Sequence, residues 1–235
     1  MIRLFIDEPF QANKVILLNE KMHHYLVHVM RCTNQQKLLC FNGQDGEWMA
    51  ELQILNKKNA QLVLIHLVRE QTVSSYCALC PALIKKDNFD LVLQKATELG
   101  VTNIYPIISD HTAHAHFNQE HAELIVREAA EQCERLTLPT IHAPIKLSSL
   151  LSQLPKDCLC YCLEERTQNS DSLPTNGKIA FFVGPEGGWS EAEKQFFKKN
   201  HFKFLHFDGG ILRAETANIA ILSCWQLGRS LYTKK

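Results

Sequence analysis

No apolar run in this chain approaches the roughly 18 residues that a membrane span requires. The N-terminus, Met1-Ile2-Arg3-Leu4-Phe5-Ile6-Asp7, has no long apolar core segment and soon meets an acidic pair, which argues against a signal peptide. Net charge is absent as well, because 25 Lys and Arg balance 25 Asp and Glu. That balance neither favours nor excludes nucleic acid as a partner, since binding depends on where basic residues cluster. The eleven histidines add charge only below about pH 6.5. The nine cysteines are an odd number and lack framework-like spacing, so free thiols in a reducing, cytoplasmic setting are expected. There is no internal repeat and no low-complexity tract.

What is present suits an ordinary globular protein. Of 235 residues, 46% are apolar and 21% charged, enough for a core without staples and for one large domain or two small ones. The first seventy residues are strand-rich: Arg3 to Ile6, Val15 to Leu18, Lys37 to Phe41, Trp48 to Leu55 and Ala60 to Val68. Asn42-Gly43 and Asp45-Gly46 supply turns. One helix is expected from Glu20 to Arg31, with Met22, Leu26, Val29 and Met30 on one side. The expected result is a small, mostly antiparallel barrel over residues 1–70.

Arg69 to Ser75 reads as a polar linker, and from about residue 74 strands and helices alternate. Strands are expected at Tyr76 to Leu83, Asn103 to Ile108, Cys158 to Leu163, Ile179 to Val183 and Phe202 to Phe207. Helices are expected at Asn88 to Leu99, Glu120 to Leu136, Ser190 to Asn200 and Ala214 to Leu231. This pattern predicts an α/β domain with a largely parallel sheet over residues 74–235. Gly100 marks a helix end, and Ser190 with Glu193 forms a capping box.

Two glycine-rich turns carry the chemistry. One is Gly184-Pro185-Glu186-Gly187-Gly188-Trp189-Ser190, and the other is Gly209-Gly210-Ile211-Leu212-Arg213-Ala214-Glu215-Thr216-Ala217. Each joins a strand to a helix, and glycine there lets main chain approach a ligand closely. The first turn lacks the Lys-Ser/Thr of a P-loop and does not match G-x-G-x-x-G. Glu186 repels polyphosphate and is compatible with a neutral or cationic ligand such as S-adenosylmethionine, a sulfonium without phosphate. A purely structural turn competes with this reading, but two turns flanking one strand favour a site. Glu215 has an ordinary role at a helix N-terminus, whereas the fork of Arg213 can bind a phosphate or a base oxygen.

These segments resemble the bacterial ribosomal RNA uridine-N3 methyltransferases of the SPOUT superfamily. The resemblance extends to Lys95-Ala96-Thr97-Glu98-Leu99-Gly100-Val101, to Arg127 through Arg135 with Pro139 following, and to His24 through Arg31. It implies a PUA-like N-terminal barrel that helps bind RNA, and a C-terminal SPOUT fold with a trefoil knot holding S-adenosylmethionine. It also implies a homodimer acting on a uridine in small-subunit ribosomal RNA. Leu163, Gly184, Gly188, Ile211, Leu212 and Ala217 would line the cofactor pocket. Arg213 would stabilise charge on the uracil, and Glu98 or Glu128 would accept the N3 proton. Arg31 and Lys85 match positions the family keeps basic, for phosphate contact. Glu128, Gln132 and Arg135 share an expected helix face, where a solvated surface competes with RNA contact by Gln132 and Arg135.

One stretch departs from the family. After Ile107-Ile108-Ser109, where an Arg-Ser pair is usual, stands Asp110-His111-Thr112-Ala113-His114-Ala115-His116. If the usual arginine contacts RNA, histidine is a weaker substitute. Cys77-x-x-Cys80, Cys158-x-Cys160-x-Cys162 and the three nearby histidines are weak metal signals. Cys77-x-x-Cys80 lacks a second ligand pair at finger-like spacing, and Cys158, Cys160 and Cys162 alternate along one strand, as small core residues do, so no metal is expected. Two rival readings stay open: a related knotted methyltransferase acting on another RNA base or ribose, and a non-catalytic RNA-binding protein.

Overall fold

The computed structural model describes residues 1–113, 116–164, 170–174, 176–208 and 210–232. His114 of the histidine cluster and Gly209 of the second glycine turn lie outside the described residues. The chain forms two compact units, Met1–Val73 with Ala130–Leu138, and Ser74–Ala129 with Pro139–Lys235.

The first unit holds strands β1 (Arg3–Phe5), β2 (Val15–Leu17), β3 (Lys37–Phe41), β4 (Glu47–Ile54) and β5 (Ala60–Arg69). Their order is β1-β3-β4-β5-β2, with only β1 and β3 parallel. Alternate residues Leu38, Cys40, Ala50, Leu52, Leu62 and Leu64 are fully buried on one face, as a period of two dictates. Asn42 closes its turn by accepting from the main-chain N–H groups of Gln44 and Asp45 at 2.9 and 2.8 Å.

The expected helix from Glu20 to Arg31 needs correction. Only α1 (Glu20–His23) is α-helical, capped by the Asn19 side chain, and His24–Val29 continues as a π-helix. The Met30 N–H reaches back to the Tyr25 carbonyl at 2.8 Å, the i to i+5 spacing of a π-turn. Arg31, at φ 54°, ends it. The wider winding keeps Leu26 buried with Met22 and Tyr25 beside it, while Val29 and Met30 turn to solvent instead of the core.

The second unit contains β6 (Cys77–Pro81), α2 (Lys86–Glu98), β7 (Asn103–Ile104), β8 (Ile107–Ile108), α3 (Gln119–Gln132), β9 (Thr140–Ile141), β10 (Ile145–Lys146), α4 (Leu147–Leu150), β11 (Leu159–Leu163), β12 (Ile179–Val183), α5 (Glu191–Lys199), β13 (Lys203–Leu205) and α6 (Ala214–Tyr232). The last turn of α3 packs with the first unit. A parallel sheet runs in the order β13-β11-β12-β6-β7-β9, and β8 pairs with β10 in a separate ribbon.

Strands β6 and β12 are buried at every position, because each sheet face is covered. Cys77, Leu79, Ile179 and Phe181 pack with Phe89 and Val92 of α2 and Ile221 and Trp225 of α6. Ala78, Cys80, Ala180 and Phe182 pack on the other face with Phe197 of α5 and with Leu147 and Leu150. Cys158, Cys160 and Cys162 join that second core, and all nine cysteines are free thiols. Burial pushes the Cys80 and Cys162 thiols well above the usual range, so both stay neutral.

The larger departures from expectation lie in three places. The single strand from Asn103 to Ile108 is two, separated at Tyr105-Pro106, because proline has no N–H for a ladder. The helix expected to reach Leu136 ends at Gln132, and Glu134 takes a φ of 61°. Arg135 therefore does not share a helical face with Glu128 and Gln132. The two-residue strands β9 and β10 were too short to read as periodic. No helix among the described residues is long and apolar enough to cross a membrane.

A buried cation ties the first unit together. Arg3 is 7% exposed, and its Nε donates to Glu47 Oε1 at 2.6 Å. Its Nη1 donates to the carbonyls of Ala130 and Glu131 at 3.0 and 3.1 Å, and Nη2 to that of Arg135 at 3.1 Å. Those carbonyls lie at or beyond the C-terminus of α3, where a helix has no partners of its own. Arg3→Ala leaves the buried Glu47 carboxylate with Arg69 alone, 3.4 Å away, and removes the guanidinium from three main-chain carbonyls. The expected loss is about 2–4 kcal/mol, read as a lower urea midpoint followed by tryptophan fluorescence; an unchanged midpoint refutes the role given to Arg3.

Candidate functional site

Register decides where the site forms. Leu163 pairs with Leu205, and Cys162 pairs with Phe182, so β11, β12 and β13 end at one level. The chain leaves that edge through Glu164, Gly184 and His206, at the C-terminal ends of three parallel strands, where open α/β sheets bind ligands. A cavity of about 580 Å³ opens there. Its walls are the first glycine turn, the ends of β11 and β13, and the chain from Gly210 to Ala217.

The glycine turn is shaped by its neighbours. The Trp189 indole is buried, and its Nε1 donates to the Leu163 carbonyl at 3.1 Å. A Cβ on Gly184 would stand 3.2 Å from that indole, so the tryptophan folds over a position that must be bare. Gly188 takes a φ of 68°, a left-handed value that glycine adopts at no steric cost. The capping box expected at α5 is formed: Ser190 Oγ accepts from the Glu193 N–H at 3.2 Å, and Glu193 Oε2 accepts from the Ser190 N–H at 2.9 Å.

A second brace comes from the turn after β8. His111 Nδ1 lies 3.1 Å from the carbonyl oxygens of both Gly187 and Gly188. Ser190 Oγ donates to Asp110 Oδ2 at 2.5 Å, and the Asp110 N–H donates to Glu193 Oε1 at 3.1 Å.

Charge in the cavity is mostly self-contained. Lys194 Nζ lies 3.5 Å from Glu164 and 3.4 Å from Glu191. Burial opposes its charge, but the two carboxylates outweigh that and raise its pKa. His206 Nε2 sits 3.1 Å from Asp208 Oδ1. Arg213 is exposed at the rim and makes no ion pair among the described residues. Glu164 and Glu186 in the wall balance Lys194 and Arg213, so the site offers no excess positive charge to a polyphosphate and leaves room for a ligand of low or positive charge.

Known proteins share this arrangement. A family model described as an RNA methyltransferase domain matches residues 71–226, and one described as an RNA methyltransferase PUA domain matches residues 18–65. The ribosomal RNA small subunit methyltransferase E of Rickettsia conorii is 33% identical over 228 residues, covering 94% of this chain and 93% of the relative. The chain belongs to the ribosomal RNA small subunit methyltransferase E family.

The Bacillus subtilis member is 27% identical, covering 95% of each chain. The Neisseria gonorrhoeae member, crystallised with S-adenosyl methionine, superposes with a TM-score of 0.89 at 28% identity over 97% of each chain. A Legionella pneumophila methyltransferase with bound cofactor gives a TM-score of 0.87 at 26% identity, covering 96% of this chain and 97% of that one. Within the family the second unit is a SPOUT-type fold and the first is PUA-like.

The structure brings some expected site residues together and leaves others apart. Leu163, Gly184, Gly188, Ile211, Leu212 and Ala217 all line the one cavity, and so does Arg213. Glu98 and Glu128 do not line it: Glu98 accepts from Lys95 Nζ at 2.8 Å, and Glu128 is exposed on α3. Lys85 is exposed just before α2, and Arg31 and Gln132 are exposed in the first unit. Arg135, also in the first unit, is half-buried, with Nη2 3.4 Å from Thr137 Oγ1.

Sequence reasoning missed the Glu164–Lys194 pair and the wall from Leu205 to Phe207. The second had a usable signal, because the end of a neighbouring parallel strand must face the same crevice. The first had none, since it depends on how α5 packs.

Trp189→Phe keeps the ring over Gly184 but removes the donor to the Leu163 carbonyl. Such a loss is expected to destabilise the fold by about 1–3 kcal/mol. Thermal unfolding measures it, and an unchanged Tm would show that the indole N–H is dispensable.

Proposed function

We propose that this chain transfers a methyl group from S-adenosylmethionine to N3 of a uridine in small-subunit ribosomal RNA. The observation that carries the reading is the backbone-built cavity at the ends of β11, β12 and β13, with Arg213 at its rim. Its volume falls within the range of small-molecule sites, about 300–1,000 Å³. Main chain around Gly184, Gly188 and Leu212 is available to read an adenine edge, and Leu163, Ile211 and Ala217 offer apolar contact. With Glu164 paired to Lys194, the Glu186 carboxylate is left in the wall to favour a cationic ligand. Bound there, the cofactor supplies an electrophilic methyl on a positively charged sulfur.

The rest of the task falls to the protein. Uridine N3 carries a proton and is blocked in a base pair, so the base must be unpaired and splayed out. Holding N3 in line with the methyl supplies much of the acceleration. Arg213 stabilises the negative charge that develops on the uracil oxygens as the proton leaves. Glu98 or Glu128 accepts that proton; since neither lines the cavity, in this reading the carboxylate comes from a second copy in a homodimer. Residues 1–70 act as the PUA-like RNA-binding domain and 74–235 as the methyltransferase domain. Arg31, Lys85, Gln132 and Arg135 hold RNA, within the small ribosomal subunit in the cytoplasm.

Two measurements test this. Arg213→Ala should lower kcat by about 10²- to 10³-fold while calorimetry shows near-normal S-adenosylmethionine binding; wild-type turnover would remove the assigned role. Mass spectrometry of ribosomal RNA nucleosides from cells lacking the gene should show N3-methyluridine lost. If N3-methyluridine persists and another methylated nucleoside disappears, the target is a different base or ribose.

A further inference from the structure

We infer that His111 is a positioning residue that holds the glycine turn from Gly184 to Ser190 in its ligand-ready shape. The inference rests on the cofactor reading of the cavity above. A carbonyl oxygen can only accept, so the His111 Nδ1 must carry a proton and share it between Gly187 and Gly188, each at 3.1 Å. Gly187-Gly188 is a segment of the cavity wall with wide backbone freedom, because neither residue has a Cβ. Its peptide planes can rotate unless something outside the turn fixes them. Within the turn, the Gly188 N–H bonds to the Pro185 carbonyl at 2.9 Å and settles one end. His111 settles the carbonyls.

A second observation is steric. A Cβ on Gly187 would stand 3.1 Å from the Cβ of His111, so the bare position is what lets the imidazole close in. The imidazole itself is mounted on a firm base. The Ser109 N–H donates to Thr112 Oγ1 at 2.9 Å, and the Thr112 N–H returns to the Ser109 carbonyl at 3.1 Å. Asp110 is tied to Ser190 and Glu193 on the far side of the glycine turn. The His111 side chain is thus turned onto the main chain of the cavity wall.

The geometry dictates the test. An asparagine amide places its nitrogen at the same bond distance from Cβ as Nδ1, whereas a glutamine amide reaches one carbon further. His111→Ala should raise the Kd for S-adenosylmethionine roughly 5- to 30-fold, the cost of one or two lost hydrogen bonds, with KM for the cofactor rising more than kcat falls. His111→Asn should restore most of the affinity and His111→Gln should not. Without any ligand, the amides of Gly187, Gly188 and Trp189 should exchange faster in His111→Ala than in the wild type. Wild-type affinity in His111→Ala, or equal restoration by Gln and Asn, overturns the inference. If the wild-type protein itself fails to bind S-adenosylmethionine, the cofactor reading falls, and amide exchange alone judges the clamp: unchanged rates overturn it.

Discussion

The parallel register of β11, β12 and β13 is the constraint on which the site depends. Pairing Leu163 with Leu205, and Cys162 with Phe182, ends the strands at one level, so two loops and a helix start converge on one crevice. The register is set from inside the sheet. Strand β12 is buried along its whole length, with Phe181 in one core and Phe182 in the other. A one-residue slip would exchange those faces and drive Phe197 and Trp225 against the wrong partners. The cavity is therefore a consequence of core packing, and its position is specified by residues that never touch a ligand.

A site made from main chain has a weakness that a site made from side chains lacks. Glycines allow close approach but carry the largest conformational entropy, so a glycine wall is soft unless held from behind. Here the supports come from three directions. Trp189 ties the turn to the end of β11, the capping box ties it to α5, and the Ser109–Thr112 turn ties it to β8. The Glu164–Lys194 pair plays a comparable part for charge: it keeps an ammonium in the wall from presenting itself as a phosphate site.

How much of this was legible in the sequence follows from which interactions are local. The two glycine turns, the capping box and the alternation of strands and helices are written in neighbouring residues, and the structure assembles them as read. The period of two in β6 and β12 was masked, because a strand buried on both faces is apolar throughout. Pro106 lies inside the run expected from Asn103 to Ile108, and its missing N–H splits that run into β7 and β8. The π-winding at His24–Val29 has no sequence mark, and it moved Val29 and Met30 out of the expected core.

Arg3 and His111 show where sequence reading stops for a physical reason. Both act on main-chain carbonyls distant in sequence, 127 and 76 residues away. A carbonyl has no residue identity, so no motif, charge pattern or spacing can announce that it is the partner. Arg3 is, in the sequence, the first residue of an expected strand; in the fold it caps a helix C-terminus and, with Arg69, is a counter-ion of Glu47. His111 looked like the loss of an arginine, and it became a donor to the cavity wall. A substitution that departs from a family pattern is thus not read by what it fails to bind. The imidazole is short and has one donor at Nδ1, which is the reach needed for a Gly-Gly peptide lying against its own Cβ.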